Sequence, residues 1–368
     1  MEFVTLLGIY LCTVLAAVVL LCFCSGRKEG FLARSTSSAS QVLSFVIPAQ
    51  LQRVMQRGLH RFFHTRSCLF VGLNIALQVA VYGEYTWEVF VYCWELQFPL
   101  LLLLLPYLLL AGNMGCFILC SRTDPGKLSG KWNLKNVTIT ITLTVFLVSF
   151  TGIITKSNHA SLVKVYAYDD VLFRKGIMCP TCNLEKPARS KHCSLCSVCV
   201  YRFDHHCVWV NSCIGAFNAK YFLLYLLTLA ATATAIAIIT AAFLIQVVLL
   251  SNLMEGRYLG DEGHEHAVDI LFLIQHLFMI FPRIVVMLGF VMLLTLVLGA
   301  YCCFTLYLVL TNQTSDEWCR SRRYRSSHHL TPQPPGRQVV YRNIYSKGGW
   351  MNLKEIFTPP TVLERKKK

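Results

Sequence analysis

Charged residues are scarce in this chain. Of its 368 residues only 14% are Asp, Glu, Lys or Arg, whereas an average soluble domain carries roughly 25%. The hydrophobic share is 55%, and the mean hydropathy of the chain is +0.52. This composition excludes an ordinary soluble enzyme, a disordered tail protein and a coiled coil. The hydrophobic residues come in long uncharged blocks, which indicates several membrane spans.

The first of these blocks lacks the features of a secretory signal. Residues 3–23 contain no charge, and the only charged residue ahead of them is Glu2. A secretory signal has a positively charged start and a shorter apolar core. The basic pair Arg27 and Lys28 follows the block. We therefore expect an uncleaved membrane anchor whose N-terminus lies outside the cytoplasm.

Five further apolar blocks are long enough to be considered as membrane spans. They lie at about 68–83, 98–120, 137–155, 221–250 and 284–310. The stretch 268–282 is also apolar, but it has only 15 residues and ends at a proline. It is more typical of an interfacial or re-entrant helix than of a separate span.

Basic residues are nearly absent from two segments between the blocks. Segment 83–97 has three glutamates and no Lys or Arg, and segment 251–269 has one basic residue against five acidic ones. Lys and Arg instead outnumber acids seven to one in 25–67, nine to four in 156–220 and twelve to four in 312–368. Because cytoplasmic loops carry the excess of Lys and Arg, these three segments are predicted to be cytoplasmic. The net charge of +15 is then explained by the orientation of the chain in the bilayer. No nucleic-acid partner is expected.

One block conflicts with this orientation. Asn136–Thr155 is long and apolar enough to cross the membrane, but a crossing there would put the basic segment 156–220 in the lumen. Either this block lies in the interface or against other helices without crossing, or the first span is arranged differently. We favour the first interpretation.

Cysteines are concentrated in one polar segment. Seven of the 17 cysteines lie within the 35 residues from Cys179 to Cys213, in repeated C-x-x-C pairs with histidines between them. A disulfide framework is not expected in the reducing cytoplasm. Thiolate and imidazole at such spacings suit tetrahedral zinc. Two four-ligand sites need eight groups, and the segment offers seven cysteines and three histidines, so two groups remain.

The tetrapeptide Asp204-His205-His206-Cys207 places a carboxylate, an imidazole and a thiol next to one another. In nucleophilic catalysis the imidazole accepts the thiol proton, the carboxylate fixes the imidazole tautomer and the thiolate attacks. The alternative is a thiol that lies beside a zinc site by accident. The spacing favours catalysis.

These residues resemble the DHHC-type protein S-acyltransferases, the membrane palmitoyltransferases that are named after this tetrapeptide. The resemblance covers the whole cysteine-rich segment and three shorter motifs outside it. These are Asp124-Pro125-Gly126 after the 98–120 block, Thr314-Ser315-Asp316-Glu317 after the last block, and Gly348, Asn352 and Phe357 near the C-terminus. The family's linker after its Asp-Pro-Gly motif is short, so residues 127–152 look like an insertion.

The resemblance implies a role for each residue of the site. One structural zinc ion would be held by Cys179, Cys182, His192 and Cys199, and a second by Cys193, Cys196, His206 and Cys213. Cys207 would then be the acyl-carrying nucleophile, His205 the base and Asp204 its orienting partner. These roles agree with the two groups left over by the ligand count.

The function implied is transfer of a palmitoyl group from palmitoyl-CoA to cysteine thiols of protein substrates. The substrates would be membrane-associated or transmembrane proteins with cytoplasmic cysteines. The ending Glu364-Arg365-Lys366-Lys367-Lys368 approximates a dilysine retrieval signal, and a simple solvated charge run is the alternative. The expected location is the endoplasmic reticulum membrane, with the Golgi or plasma membrane as alternatives. A zinc-stabilised membrane adaptor without catalysis is the alternative, and a membrane ubiquitin ligase fits the Cys/His order less well.

The fold expected is an all-α polytopic membrane protein with a cytoplasmic zinc-binding cysteine-rich domain between the spans. The predicted segments are an N-terminal membrane anchor (1–24), a cytoplasmic loop (25–67), two transmembrane helices (68–120), a linker with an apolar insertion (121–156), the zinc-binding catalytic domain (157–220), two transmembrane helices with a luminal loop (221–311) and a cytoplasmic tail (312–368).

Overall fold

The computed structural model describes residues 68–128, 166–259, 264–330 and 341–359. The predicted anchor at 3–23, the apolar block at 137–155 and the basic C-terminus lie outside the described residues. The described chain divides into two compact units. One contains residues 68–114 and 226–302, and the other contains 115–225 and 303–359.

Three helices of the described chain are long and apolar enough to cross a membrane, as the composition predicts for a multi-pass membrane protein. They are α3 (Leu100–Arg122), α4 (Ala219–Leu250) and α6 (Pro282–Leu310). They correspond to three of the predicted spans. A shorter apolar helix, α5 (Ile270–Ile280), has 11 residues. It begins where the Asp269 carboxylate accepts the N–H of Phe272, at 2.7 Å, which is a typical N-terminal cap.

The helix that begins at Leu69 extends to Glu95, through most of the segment 83–97. α1 (Leu69–Glu84) continues through a π-helical turn (Tyr85–Phe90) into α2 (Val91–Glu95) without a break. The sequence predicts a span at 68–83 and a separate luminal segment after it. The helix continues because no proline or glycine interrupts residues 84–95, and propensity alone does not end a helix there.

The core of the first unit forms where these helices meet, around Tyr85, Leu103, Phe243 and Val291. Two tyrosines of this core donate hydrogen bonds to carbonyls of α3. The Tyr82 hydroxyl reaches the Pro106 carbonyl at 2.8 Å, and the Tyr85 hydroxyl reaches the Leu103 carbonyl at 2.9 Å. These two bonds join α1 and the π-helical turn to α3 next to Pro106, which lies inside α3.

The second unit contains strands, so the all-α expectation is wrong for the cysteine-rich domain. Its strands are β1 (Lys127–Leu128), β2 (Met178–Cys179), β3 (Leu184–Glu185), β4 (Lys191–Cys193), β5 (Val198–Val200), β6 (His205–Cys207) and β7 (Ser212–Ile214). They form a three-stranded sheet in the order β1-β5-β4 and two hairpins, β2-β3 and β6-β7, all antiparallel. Strands of two or three residues are too short to produce a readable alternation in the sequence.

The Asp-Pro-Gly motif turns the chain from α3 into this domain. The Asp124 carboxylate accepts the N–H groups of Gly126 and Lys127, each at 3.0 Å. Leu128, only 2% exposed, joins the hydrophobic core of the domain. Residues 127 and 128 therefore belong to the domain, although the resemblance places the start of an insertion there. The remainder of 127–152 lies outside the described residues.

Two more elements complete the described chain. A hairpin of β8 (Arg257–Leu259) and β9 (Glu265–Ala267) lies in the segment predicted to be luminal. After α6 follow α7 (Ser315–Leu330) and a short helix, α8 (Gly349–Phe357). Both helices belong to the second unit and pack with the cysteine-rich domain through the contacts described below.

Candidate active site

The first Cys/His cluster joins the β2-β3 hairpin to the three-stranded sheet. Cys179 lies on β2 and Cys182 in the turn after it, while His192 and Cys199 face each other across β4 and β5. The His192 Nδ1 lies 3.6, 3.3 and 3.8 Å from the three sulfurs, in sequence order. Ligands held tetrahedrally at zinc distances would be separated by about 3.6 Å. The cluster therefore fits a tetrahedral zinc ion.

The second cluster joins β4 to the β6-β7 hairpin. It contains Cys193, Cys196, His206 and Cys213. The His206 Nδ1 lies 3.8, 3.4 and 3.6 Å from the three sulfurs, which again fits zinc. Because consecutive residues of β4 serve different clusters, the two sites are interleaved along the chain. Metal at both sites would hold the three-stranded sheet and the two hairpins together as one rigid body.

The strand β6 separates a metal ligand from the reactive residues. Side chains alternate along a strand, so His205 and Cys207 share one face while His206 points to the other, toward the second cluster. Cys207 is 7% exposed and lies in neither metal cluster. The thiol is therefore left available for chemistry, as the ligand count predicts.

His205 is held by a carboxylate on its Nδ1 side. The Asp204 Oδ2 lies 2.8 Å from this nitrogen, and the Phe222 ring packs edge-on against the imidazole with centroids 5.1 Å apart. Burial lowers the pKa of His205, but hydrogen bonds that the imidazole makes to the Asp204 carboxylate and the Cys207 sulfur outweigh it and raise this pKa to about 10. The Nδ1 contact leaves the Nε2 atom for the thiol and its proton.

The Asp204 carboxylate is itself fixed from a distant part of the chain. Its Oδ1 accepts the backbone N–H of Ser315, at the start of α7. Burial raises the pKa of Asp204, but the bonds from His205 and Ser315 lower it below the ordinary value. The carboxylate is therefore ionised at neutral pH and can stabilise a charged imidazolium.

A buried arginine links the domain to the segment after α6. Arg189, 1% exposed, has a φ of 64°, which bulky residues rarely adopt. Its guanidinium contacts both carboxylate oxygens of Glu317, at 2.6 and 2.8 Å, and the Asn312 side chain at 3.0 Å. Arg189 falls within the cysteine-rich segment and Glu317 within the motif after the last block, but the sequence does not reveal that they meet.

Asn312 begins the sequence Asn312-Gln313-Thr314, which fits a glycosylation sequon, and it lies in this network. It is completely buried, and its amide donates to the Tyr345 carbonyl at 2.9 Å while accepting from Arg189 and Arg202. An amide in this position is inaccessible to glycosylation in the folded chain.

A groove of about 380 Å³ opens beside the domain and α7. Its apolar wall includes Leu172, Phe173 and Ile177. Five basic side chains and one acidic side chain also line it, namely Arg174, Lys186, Lys191, Arg320, Arg323 and Asp316. A groove that combines an excess of basic side chains with an apolar wall attracts a ligand with several negative charges and an apolar or aromatic part.

The predicted site residues thus come together in the second unit. All eight predicted ligands fall into the two clusters in the predicted grouping, and Asp204, His205 and Cys207 lie next to each other. The structure shows in addition that three buried residues support the site, namely Asn312, Arg189 and Glu317.

Comparison with known proteins places the chain among relatives along its whole length. The family model described as DHHC palmitoyltransferase matches residues 173–322. The chain is 46% identical over 371 residues to Palmitoyltransferase ZDHHC4 of Bos taurus, with 100% of both chains covered. Against the protein of the same name from Mus musculus it is 47% identical over 369 residues, covering 100% of this chain and 99% of the other.

A more distant relative matches only the site region. Palmitoyltransferase swf1 of Schizosaccharomyces pombe is 47% identical over 87 residues, which cover 24% of each chain. The full-length matches also bear on a narrower resemblance. The N-terminal apolar run and the sequence Tyr85-Thr86-Trp87-Glu88 resemble the fourth vertebrate member of the family, and the Bos taurus and Mus musculus matches confirm that resemblance.

Proposed function

The chain belongs to the DHHC palmitoyltransferases and is a protein S-palmitoyltransferase, and from this premise we propose that Cys207 carries the acyl group. The observation that supports this most is the separation of roles on β6. His206 joins the second metal cluster, whereas Cys207 stands outside both clusters and shares a strand face with His205. The thiol is thus held beside a base without being bound to metal.

The reaction would proceed in two balanced steps. In the first, the Cys207 sulfur attacks the thioester carbonyl of the acyl donor, a new carbon–sulfur bond forms, and the CoA thiolate leaves and takes the proton held by His205. In the second, His205 takes the proton of a substrate thiol, whose sulfur attacks the acyl-enzyme and releases the Cys207 thiolate. One thioester replaces another in each step, so the site mainly has to position and activate two thiols.

Asp204 would act by orienting the base. Its contact with Nδ1 at 2.8 Å fixes the imidazole tautomer, and the Ser315 N–H fixes the carboxylate in turn. The raised pKa of His205 makes the imidazole a stronger base toward the Cys207 proton, which it would then pass to the leaving CoA thiolate.

The two clusters would each hold a structural zinc ion. The first set is Cys179, Cys182, His192 and Cys199, and the second is Cys193, Cys196, His206 and Cys213. Zinc in closed four-ligand sites supplies folding free energy rather than reactivity. The protein's own contribution is the interleaving on β4, which fixes β6 and therefore the position of Cys207.

Palmitoyl-CoA is the acyl donor that the groove suits. Its phosphates would lie among the basic side chains of the groove, and Ile177, which is 43% exposed, offers an apolar surface for the adenine ring. Asp316 lines this groove, and the preceding Ser315 contacts the catalytic carboxylate. The groove and the site thus both contact the start of α7.

We place the catalytic domain in the cytoplasm and the protein in the endoplasmic reticulum membrane, with the Golgi and plasma membrane as alternatives. The excess of Lys and Arg in 156–220 and 312–368 supports the first placement. The substrates would be membrane-associated or transmembrane proteins whose cytoplasmic cysteines reach the membrane face.

A pulse and chase tests the two-step scheme. Purified protein is incubated with labelled palmitoyl-CoA, freed of excess donor, and then given a thiol-containing acceptor peptide. We expect label on the protein first and its transfer to the peptide during the chase. Peptide labelling that requires free donor throughout would contradict an acyl-enzyme.

A further inference from the structure

The C-terminal helix α8 has two chemically different faces. Asn352, Glu355 and Ile356 are buried on one side. Trp350 and Phe357 lie on the opposite side, where they are 77% and 40% exposed. At 100° per residue these two aromatic side chains project within about 20° of each other, on the side away from the buried residues. An exposed aromatic face of this kind needs a partner.

The buried face fixes the helix beside the end of a candidate span. Ile356 packs with Leu223 of α4 and Val309 of α6. The Asn352 amide donates to the Leu310 carbonyl, the last residue of α6, at 2.7 Å. These contacts are made to the first turns of α4 and the last turns of α6, the ends at which both apolar helices adjoin the second unit. α8 therefore lies at the depth at which the span leaves the hydrocarbon core.

The exposed face continues a surface that already faces lipid. Leu306, Tyr307 and Leu310, in the last turns of α6, are 38%, 52% and 42% exposed, as expected for side chains that contact the bilayer. A Cβ atom on Gly349 would lie 3.6 Å from Leu310, so the start of α8 adjoins this surface directly. The two exposed surfaces are contiguous at this point.

The composition of the exposed face matches the bilayer interface. Trp is enriched where the headgroups meet the acyl chains, because its ring is apolar and its N–H is a hydrogen-bond donor. Lys354 is exposed on the same side of the helix between the two aromatic residues. A lysine there can extend its ammonium group to the lipid phosphates while its methylene groups stay in the apolar region.

We propose that α8 is a membrane-binding helix that lies in the bilayer interface at the end of α6. Trp350, Met351 and Phe357 would enter the region between the phospholipid headgroups and the acyl chains. Since Glu355 on the other face lies 3.9 Å from the buried Arg189, the same helix joins the lipid surface to the network behind the active site.

Fluorescence quenching from the two sides of the interface tests this proposal. Full-length protein is reconstituted in phosphatidylcholine nanodiscs with and without lipids brominated near the headgroup end of the chain. The chain has six tryptophans, so the signal of Trp350 is the difference between the unchanged protein and Trp350→Phe. We expect this difference emission to be largely lost in brominated nanodiscs and to resist aqueous iodide. Quenching by iodide, or by neither agent, would overturn the proposal, and the latter would indicate a protein partner or a second copy.

A pair of charged variants provides an independent readout. Trp350→Glu puts a charge on the exposed face, whereas Met178→Glu makes the same kind of change at a 56% exposed residue of β2. In nanodiscs we expect faster deuterium uptake by residues 349–357 in Trp350→Glu only. Equal uptake in both variants and the unchanged protein would contradict lipid contact. Neither measurement depends on acyl transfer, so a failure here leaves the proposed function untouched.

Discussion

Arg189 and Glu317 are 128 residues apart in the sequence and form a buried two-point ion pair, with Nε–Oε1 at 2.6 Å and Nη2–Oε2 at 2.8 Å. Glu317 follows Ser315 by two residues, and the N–H of Ser315 holds the Asp204 carboxylate. One side of this pair belongs to the cysteine-rich domain and the other to α7. The pair therefore fixes the backbone that orients the catalytic carboxylate.

Removing one charge of this pair should destabilise the protein. Glu317→Gln leaves Arg189 buried with only Glu355 nearby, at 3.9 Å, and loss of one partner of a buried pair costs about 3–5 kcal/mol. We expect a lower midpoint of thermal unfolding. Glu265→Gln is the control, because its pair with Arg257 is 62–73% exposed and such pairs contribute about 1 kcal/mol or less. Equal midpoints for both variants would show that the buried pair is not structural.

Asp204→Asn should slow formation of the acyl-enzyme without unfolding the site. An amide cannot stabilise the imidazolium and can favour the wrong tautomer of His205, and comparable changes reduce rates by about 10²–10⁴. Single-turnover labelling at matched zinc content measures the effect. Ser315→Ala keeps the backbone N–H that contacts Asp204 and loses only the hydroxyl contact, so it should slow the step much less than Asp204→Asn does. A normal rate in Asp204→Asn would exclude the orienting role.

Charge reversal in the basic groove should weaken donor binding. Arg174 lines the groove, whereas its exposed neighbour Lys175 does not. Because a hydrogen bond to a charged group contributes about 1.5–3 kcal/mol, Arg174→Glu combined with Lys186→Glu should raise the KM for palmitoyl-CoA by at least about tenfold. Steady-state kinetics at fixed salt provide the measurement. A similar rise in Lys175→Glu would indicate a general charge effect and not a binding groove.

The contribution of Glu355 to stability should depend on pH. Burial raises the pKa of Glu355, but hydrogen bonds from Lys347 and Tyr166 and the charge of Arg202 outweigh it and lower this pKa below 4.5. A carboxyl whose pKa is lowered on folding contributes stability above its unfolded pKa and loses it as the pH falls through the folded value. The difference in unfolding midpoint between the unchanged protein and Glu355→Gln should therefore be constant near neutral pH and shrink below about pH 4.5. A difference that grows on acidification would reverse the assigned sign.

The sequence predicts which residues carry the chemistry of the site, but not the contacts that hold those residues in place. Ligand spacing alone gives two zinc sites, since thiolates and imidazoles at C-x-x-C steps have few other uses. The grouping of the eight ligands also follows from the family resemblance. The approach of Arg189 to Glu317 could not be predicted, because nothing in a single sequence reports a contact across 128 residues.

Element boundaries show where periodicity is uninformative. Uniformly apolar helices such as α4 can be recognised from composition, and α4 spans 219–250 where 221–250 was expected. The strands of the cysteine-rich domain are held by their turns and, as we propose, by metal. Their two or three residues carry no pattern of their own, and the helical continuation through Tyr85–Phe90 likewise has no local signal.

Labelling of Cys207→Ser with palmitoyl-CoA tests the central claim most directly. The unchanged protein, Cys207→Ser and Cys303→Ser are compared at equal zinc content, since Cys303 is an exposed cysteine outside both clusters and outside the groove. We predict hydroxylamine-sensitive label on the unchanged protein and on Cys303→Ser, and none on Cys207→Ser. Equal labelling of all three proteins would contradict the assignment of Cys207 as the acyl carrier.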